Sequence, residues 1–311
     1  MKTTLVFSGV DFMGKKRIAF AFSTLLLVIS VGSLFAKGLE FGIDFTGGVL
    51  LEVGYQDAAD LPRIRSGLEA AGFASAQLQN FGTDRDVLIR LLPQEGEASS
   101  DAVGVQILEV LSTQDPTVTL RRVEFVGPQV GEELREQGGL AMLFALLFIM
   151  AYVAFRFQWK FSLGAVAALV HDVIITLGFF SLFNLPFDLA VLAAVLAVIG
   201  YSLNDTIVVF DRIRENFLRI RKSHALEVMN VSINQTLSRT LITSMTTLLV
   251  LLALFFLGGE AIHSFATALI VGVVIGTYSS IYVASSLALV LDVSTQDLMP
   301  PVIEKELDEM P

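Results

Sequence analysis

The sequence predicts a membrane protein with an all-α bundle of six transmembrane helices and one external α+β domain between the first and second spans. Of the 311 residues, 54% are hydrophobic and 17% are charged, and the mean hydropathy is +0.69. A water-soluble protein of this length needs more polar surface around its core. Six apolar stretches are long enough to cross a hydrocarbon layer, which takes about 20 helical residues. One polar interval, residues 37–136, separates the first stretch from the second.

The first predicted span, residues 18–36, follows three basic residues and could be a cleaved signal peptide or a retained anchor. Leu34 would take the −3 position of a cut after Ala36, where a small residue is needed, so we interpret this span as an anchor. The other five spans lie within residues 137–291, at 140–155, 161–183, 189–210, 241–257 and 265–291.

Basic residues set the expected orientation. Apart from the external domain and Arg239, they lie in the segments 1–17, 156–160, 211–238 and 292–311, whereas the short loops at 184–188 and 258–264 contain none. Cytoplasmic loops carry an excess of Lys and Arg, so both termini are predicted to be cytoplasmic. Trp159 lies at one of these boundaries, which is typical of an interfacial anchor.

Residues 37–136 carry the charge asymmetry of the chain. Between Glu40 and Glu136 there are 17 acidic residues and 7 arginines, which accounts for the net charge of −10. Asp60 and Ser100 are the expected caps of two helices. The pattern predicts strands at 49–55, 76–81, 87–92 and 118–126, and helices at 60–71 and 100–113. The order βαββαβ is that of a ferredoxin-like unit.

A glycine-rich strip joins the first span to this domain. Residues 38–48 contain four glycines, and glycine adopts backbone angles that are closed to other residues. The strip is therefore either a connecting turn or a hinge through which a span moves the domain. Its marked residues are Gly42, Asp44, Gly47 and Gly48.

Several long motifs resemble the SecD/SecF family of protein-export membrane proteins. GIDFTGG at 42–48 is similar to the motif at the base of the first external domain in that family. Four further motifs resemble the SecF branch more narrowly: LVHDVIITLG at 169–178, VIGYSLNDTIVVFDRIREN at 198–216, QTLSRTLITS at 235–244 and GTYSSIYVAS at 276–285. The resemblance covers nearly the whole chain except the acidic tail, 292–311, and much of the outer domain.

This resemblance implies a fold and a function. The chain would pair with SecD in a twelve-helix unit of the bacterial cytoplasmic (inner) membrane, related to the RND superfamily, with residues 37–136 as a periplasmic ferredoxin-like domain. That unit would work with the SecYEG channel, with YajC as a candidate further partner, and would use the proton motive force to draw preproteins outward. No Gly-x-x-x-x-Gly-Lys-Ser/Thr loop occurs in the sequence. No enzyme activity, cofactor, metal or nucleic acid is expected.

Asp205 is the strongest candidate for proton chemistry, because an ionisable group inside a span is costly and usually functional. It could instead be an acid near a helix end whose side chain reaches the interface. Arg239 is its expected partner, although topology alone also predicts an arginine at a cytoplasmic helix end. The resemblance assigns the matching acid and arginine to the proton path. The supporting polar residues are Ser202, Asn204, Thr206 and Thr243.

Asp172, near the middle of the third span, is the further proton-path candidate. It could equally be a structural carboxylate that is hydrogen-bonded to a neighbouring helix. His171 beside it is expected to face another side of the helix and to serve in packing.

Two further features are expected to be mainly structural. Gly272, Gly276 and Ser280 form a stripe of small residues in the last span, which allows helices to approach closely. The stripe could pack within this chain or form the seam with SecD. Residues 212–235 mix basic and apolar side chains and are predicted to lie amphipathically on the membrane surface.

Two other functions fit a similar scaffold. One is an RND-type proton-driven exporter of small molecules or lipids, although such pumps carry larger outer domains. The other is a non-transporting scaffold for SecD and the channel. A scaffold should tolerate Asp205→Asn, whereas a proton carrier should not.

Overall fold

The computed structural model describes residues 9–92, 100–157, 159–220, 223–259, 262–291 and 293. Among these residues, six helices are long and apolar enough to cross a membrane, as predicted. We call them spans one to six: Met13–Lys37, Pro128–Arg156, Trp159–Phe183, Leu189–Arg219, Ala225–Leu257 and His263–Val290. Apart from position 293, the acidic tail at 292–311 lies outside the described residues, as do residues 1–8 of the predicted N-terminal segment.

Three helices extend well beyond the predicted spans. Span two begins at Pro128 rather than at 140, span four continues to Arg219, and span five begins at Ala225 rather than at 241. The added turns are polar, so a hydropathy window does not register them. The predicted surface-lying segment at 212–235 is therefore wrong, because spans four and five run through most of it.

The external domain has the predicted element order, preceded by two short elements, β1 (Glu40–Phe41) and α1 (Ile43–Thr46). Asp60 Oδ1 accepts the Arg63 amide at 3.2 Å, so the first predicted cap is confirmed. The side chain of Ser100, the second predicted cap, lies outside the described residues. The main elements are β2 Gly48–Gly54, α2 Leu61–Ala70, β3 Gln77–Phe81, β4 Thr83–Leu91, α3 Ser100–Gln114 and β5 Thr119–Val126.

The four strands form one sheet in the order β3-β4-β2-β5, and all neighbours are antiparallel. One face of the sheet packs against α2 and α3, with Leu51, Leu68 and Ile107 fully buried between the layers. The opposite face carries Leu50, Glu52, Leu88 and Arg90 and lines a cavity of about 500 Å³ next to the outer ends of the spans. The domain therefore presents a mixed polar and apolar sheet face to the membrane bundle.

Spans three and four form the centre of the bundle. In each of these two helices, 56% of the apolar stretch is buried inside the protein, compared with 22%, 11% and 17% in spans one, two and five. Phe161 and Phe210 are fully buried and their rings meet edge to face at 4.9 Å between centroids. The polar residues that these two central spans carry are therefore enclosed by protein.

The N-terminal segment is fastened to the start of span five. The Asn234 side chain accepts the Val10 amide at 2.9 Å and donates to the Val10 carbonyl at 2.8 Å. One turn earlier, Asn230 Oδ1 accepts the Met13 amide at 2.9 Å, and its amide group donates to Asp11 at 2.8 Å. Four hydrogen bonds thus join the segment before span one to the start of span five.

Candidate functional site

The Asp205 carboxyl group lies buried between spans four and five, with 8% of the residue exposed. Thr240 Oγ1 of span five donates to Asp205 Oδ1 at 2.7 Å. The second oxygen, Oδ2, is buried and has no hydrogen-bond partner among the described residues. One carboxyl oxygen is therefore hydrogen-bonded, and the other has a lone pair that can accept a proton.

Arg239 directly precedes Thr240 on span five. The Arg239 side chain is exposed, and it forms no salt bridge with Asp205 within the described part of the chain. It lines a cavity of about 240 Å³ at the end of the bundle opposite the external domain, together with Arg156, Asp211, Arg212 and Glu215. The contact that the structure shows for Asp205 is thus the Thr240 hydroxyl, and Arg239 lies in the adjoining cavity.

Asp172 connects three spans. Its Oδ2 accepts the Ser202 hydroxyl of span four at 2.6 Å and the Ser279 hydroxyl of span six at 2.7 Å. Its Oδ1 lies 2.9 Å from His171 Nδ1, so the expectation that His171 faces elsewhere is wrong. His171 Nε2 is buried with no partner among the described residues. Asp172 and His171 form a buried pair at the centre of the bundle.

A layer of hydroxyl contacts continues from this pair into span six. The Thr206 and Ser280 hydroxyls lie 2.8 Å apart, and Ser244 meets Thr277 at 2.6 Å. Directly after Ser279, residues Ser280–Ala284 form a π-helical turn, a local widening that often occurs at functional positions. Spans four, five and six therefore meet through short polar side chains at the level of the two acids.

Two of the supporting residues lie apart from this layer. Asn204 is exposed on the surface of span four. Thr243 is also exposed, and its hydroxyl donates to the Arg239 carbonyl of its own helix at 2.9 Å. Ser202 and Thr206 are the two predicted supporting residues that the structure brings into the layer.

The small-residue stripe of span six packs inside the bundle. A Cβ atom on Gly272 would come within 2.1 Å of the Val198 side chain, and one on Gly276 within 3.0 Å of Ser202. Both partners belong to span four. The alternative that this stripe is an open seam for SecD is therefore wrong, because span four already covers it.

The glycine motif at 42–48 forms a tightly packed junction. Gly47 and Gly48 have φ values of +70° and +120°, which side chains disfavour. A Cβ on Gly47 would lie 2.7 Å from Pro128 at the start of span two, and one on Gly48 would lie 2.1 Å from the Leu91 carbonyl oxygen. The motif therefore packs closely against both the sheet and span two.

The same motif also caps span four. Gly42 donates to the Phe187 carbonyl at 2.8 Å, and β1 pairs in parallel with β6, Pro186–Phe187. Asp44 Oδ2 then accepts the Leu189 amide at 2.9 Å, at the first residue of span four. Asp188 provides the second cap by accepting the Val191 amide at 2.8 Å. Burial raises the pKa of Asp188, the Val191 hydrogen bond opposes that shift, and the Asp44 charge adds to it.

The sequence indicated the two acids of the site but not two of the hydroxyl groups that bind them. Single-residue reasoning found Asp205 and Asp172 but missed their hydroxyl donors, Thr240 and Ser279, because a threonine or serine in a span has no distinctive pattern. A helical-face comparison of spans four and five could have found Thr240. No group of three metal-ligating side chains occurs among the described residues.

Comparison with protein-family models gives two matches. Residues 106–294 match "Protein export membrane protein SecD/SecF, C-terminal", and residues 32–59 match "SecD/SecF GG Motif". The first match covers more than half of the chain and contains both intramembrane acids. The second contains the whole glycine motif at 42–48.

Proteins with the name "Protein translocase subunit SecF" are similar to this chain over nearly their full length. The protein of Vibrio alginolyticus is 53% identical over 97% of both chains. That of Pseudomonas aeruginosa is 51% identical over 97% of this chain and 98% of its own. That of Escherichia coli O157:H7 is 46% identical over 97% of this chain and 94% of its own.

Two solved structures share the fold. The crystal structure of SecDF, a translocon-associated membrane protein from Thermus thermophilus, is 42% identical with a TM-score of 0.84. SecDF in the super-membrane-facing form gives 42% identity with a TM-score of 0.68. Both alignments cover 92% of this chain and 39% of the SecDF chain, so this chain corresponds to about two fifths of that longer protein. These matches establish that the chain is a multi-pass membrane protein of the SecD/SecF protein-export family.

Proposed function

We propose that this chain is the SecF-type subunit of the bacterial protein-export machinery, and that with SecD it uses the proton motive force to promote export of preproteins through SecYEG. The family supports a role in protein export and a SecD partner. The observation that carries the proton-driven part is the buried Asp205 carboxyl group, which has one oxygen bonded to Thr240 and one without a hydrogen-bond partner in the described part of the chain.

In this mechanism, a proton from the outer side neutralises Asp205. An ionised carboxylate in apolar surroundings is costly, so the protonated and ionised forms favour different packing of spans four and five. The Arg239 side chain lies in the adjoining cavity, next to the spans that repack. Moving one charge through the membrane potential supplies about 2.3 kcal/mol per 100 mV, which is several times thermal energy.

Asp172 is the second proton-path residue in this proposal. Its two hydroxyl donors come from spans four and six, so a change in its protonation alters contacts between both of these spans and span three. Because Ser202 lies three residues before Asp205 on span four, a movement of that span changes the surroundings of both acids.

The external domain belongs, in our assignment, to the ferredoxin-like class. The sheet order β3-β4-β2-β5, with antiparallel neighbours and two helices on one face, supports this assignment. The domain would lie in the periplasm, with both termini in the cytoplasm and the chain in the inner membrane. SecYEG, YajC and the emerging preprotein are the further partners that the family resemblance implies.

The test is export of a secreted reporter protein in cells whose only copy of this chain carries Asp205→Asn. Asparagine keeps the shape of the side chain and still accepts the Thr240 hydroxyl, but it cannot be ionised. We expect export to fall to the level of a deletion strain, with normal membrane levels and normal association with SecD.

Asp211→Asn is the matched control, because Asp211 is an exposed acid on the same span and its ion pair with Arg156 is long, at 3.8 Å. Export should be unchanged in that strain. If Asp205→Asn also leaves export unchanged, proton use through Asp205 is ruled out, and the chain is better described as a scaffold for SecD and the channel.

A further inference from the structure

We propose that Asp44 and Arg90 couple span four to the external domain, so that a movement of the helix carrying Asp205 is passed directly to the sheet. This inference rests on the proposed function, since it concerns how the proton site drives the domain. It assigns positioning roles to two residues outside the proton site, one in the glycine motif and one in the sheet.

Asp44 connects the glycine motif to span four. Its carboxylate accepts the amide of Leu189, the first residue of span four, at 2.9 Å. An acceptor at this point satisfies an amide that has no partner within its own helix. Asp205 lies sixteen residues further along the same helix, about 24 Å away at the usual rise per residue. The motif is thus fixed to the outer end of the helix that carries the proton site.

Arg90 of β4 connects the sheet to the glycine motif and the residue before it. Its Nη2 donates to the Phe41 carbonyl oxygen and, at 3.2 Å, to the Thr46 hydroxyl. These two acceptors flank Asp44: Phe41 directly precedes the motif, and Thr46 lies within it. The Arg90 side chain is partly buried, and the resulting loss of hydration lowers its pKa, against the opposing effect of Glu40. One guanidinium group therefore fastens the central part of the sheet to the segment that caps span four.

Close packing makes this junction able to transmit force. A Cβ on Gly131 of span two would lie 2.6 Å from the Gly47 amide nitrogen, so the backbones are already in contact. By contrast, Gly38 just after span one has a φ of +73° and, apart from its chain neighbours, no described atom within 4 Å of its Cβ position. The backbone at the end of span one is therefore less closely packed than the glycine motif.

The first test measures amide hydrogen exchange at Leu189–Leu192 in the purified complex with SecD. Asp44→Ala removes the cap and should speed exchange at Leu189 by about 2- to 30-fold, the range that corresponds to loss of an N-cap acceptor. Arg90→Ala, which does not touch span four, should change exchange at the same residue in the same direction. Thr46→Val should also speed exchange at Leu189, and this variant replaces Arg90→Ala in the test if Arg90→Ala does not fold.

Arg85→Ala is the matched control, because Arg85 is an exposed arginine at the other end of the same strand. It should leave exchange at Leu189–Leu192 unchanged. If Arg90→Ala and Thr46→Val also leave it at the wild-type rate, the sheet and span four are not coupled through the motif, and the proposal is wrong.

The second test separates coupling from proton use. The chain contains no cysteine, so Glu69→Cys in the domain and Leu257→Cys at the outer end of span five can carry two spin labels. The label distance is measured in vesicles with and without a proton gradient. Wild-type protein should show a gradient-dependent shift, Asp205→Asn should abolish it together with proton uptake, and Asp44→Ala should abolish the shift alone. A shift that persists in Asp44→Ala overturns the coupling, whereas one that persists in Asp205→Asn overturns the proposed proton role instead.

Discussion

At the scale of single residues, the main finding is the hydroxyl donor of each intramembrane acid. Asp205 has Thr240, and Asp172 has Ser202 and Ser279. A short hydroxyl side chain can hold a carboxylate and release it with little movement, since it exchanges one hydrogen bond worth about 1 kcal/mol net. An ion pair in the same apolar setting would be harder to separate.

Thr240→Val tests this role. The substitution keeps the shape of the side chain and removes the donor to Asp205 Oδ1, so we expect export of the reporter to fall about 3- to 10-fold, as the loss of about 1 kcal/mol would give. Thr243→Val is the control, because Thr243 is exposed and bonds only to its own helix. Equal export rates in the two variants would contradict a role for Thr240.

Asp188 gives a prediction about pH. Burial raises its pKa in the fold above the unfolded value of 3.8, so its ionised form costs stability at neutral pH. Asp188→Asn keeps a good capping acceptor without the charge. We expect the apparent melting temperature to rise by about 1–3 °C at pH 7. The gain should vanish below pH 3.8, where the carboxyl group is protonated in both states. A gain that is constant across this pH range would contradict the assignment.

At the scale of elements, spans four and six pack in close contact at Gly272. Gly272→Ala would place a methyl group 2.1 Å from the stiff, branched side chain of Val198. We expect a loss of about 1–3 kcal/mol in unfolding free energy, the usual cost of overpacking. The measurement is denaturant unfolding in detergent micelles. Gly200→Ala, with no atom within 4 Å of its Cβ position, is the control and should not destabilise the protein.

Prediction from sequence succeeded for elements with a strong periodic or hydropathy signal. The six spans, the order of the external domain and the Asp60 cap were all recognisable. The starts of spans two and five were missed because their first turns are polar and lie beyond the apolar core. The ladder between β1 and β6 has only two residues a side and joins segments about 145 residues apart, so nothing local to either segment indicates it.

Within the site, the sequence identified the costly acids but not the contacts that hold them. Which hydroxyl meets Asp205 depends on the rotation of span five about its axis. That rotation is set by packing against span four, and a single sequence does not specify it. The error on His171 has a different cause: its side chain bends back to its neighbour Asp172, and helical periodicity does not specify side-chain conformation.

At the scale of the whole molecule, the spans differ in what their exposed faces can contact. The exposed face of span one carries apolar side chains, including Ile18, Phe20 and Leu25, which suits lipid. Span five is only 17% buried, and its exposed face carries Arg239 beside large apolar side chains such as Ile242 and Val250. A charged group is costly against lipid, so span five is the face that we expect a partner helix to cover.

Accessibility of introduced cysteines checks this expectation. Met245→Cys on span five and Phe20→Cys on span one are both highly exposed, at 61% and 72%. We expect a membrane-soluble maleimide to label Met245→Cys several-fold more slowly when SecD is co-expressed, with no change at Phe20→Cys. Equal labelling of Met245→Cys with and without SecD would place the partner elsewhere.

The hydrogen bonds between Val10 and Asn234 have a consequence for biogenesis. The two residues are 224 positions apart, so the contact cannot form until four of the six spans and the start of the fifth have been synthesised. At about 5–20 residues per second, the ribosome takes roughly 10–45 s to cover that distance. During this interval the N-terminal segment has no docking site, and the half-made bundle exposes the surface that it later covers. Docking of Val10 on span five is therefore a late event in assembly.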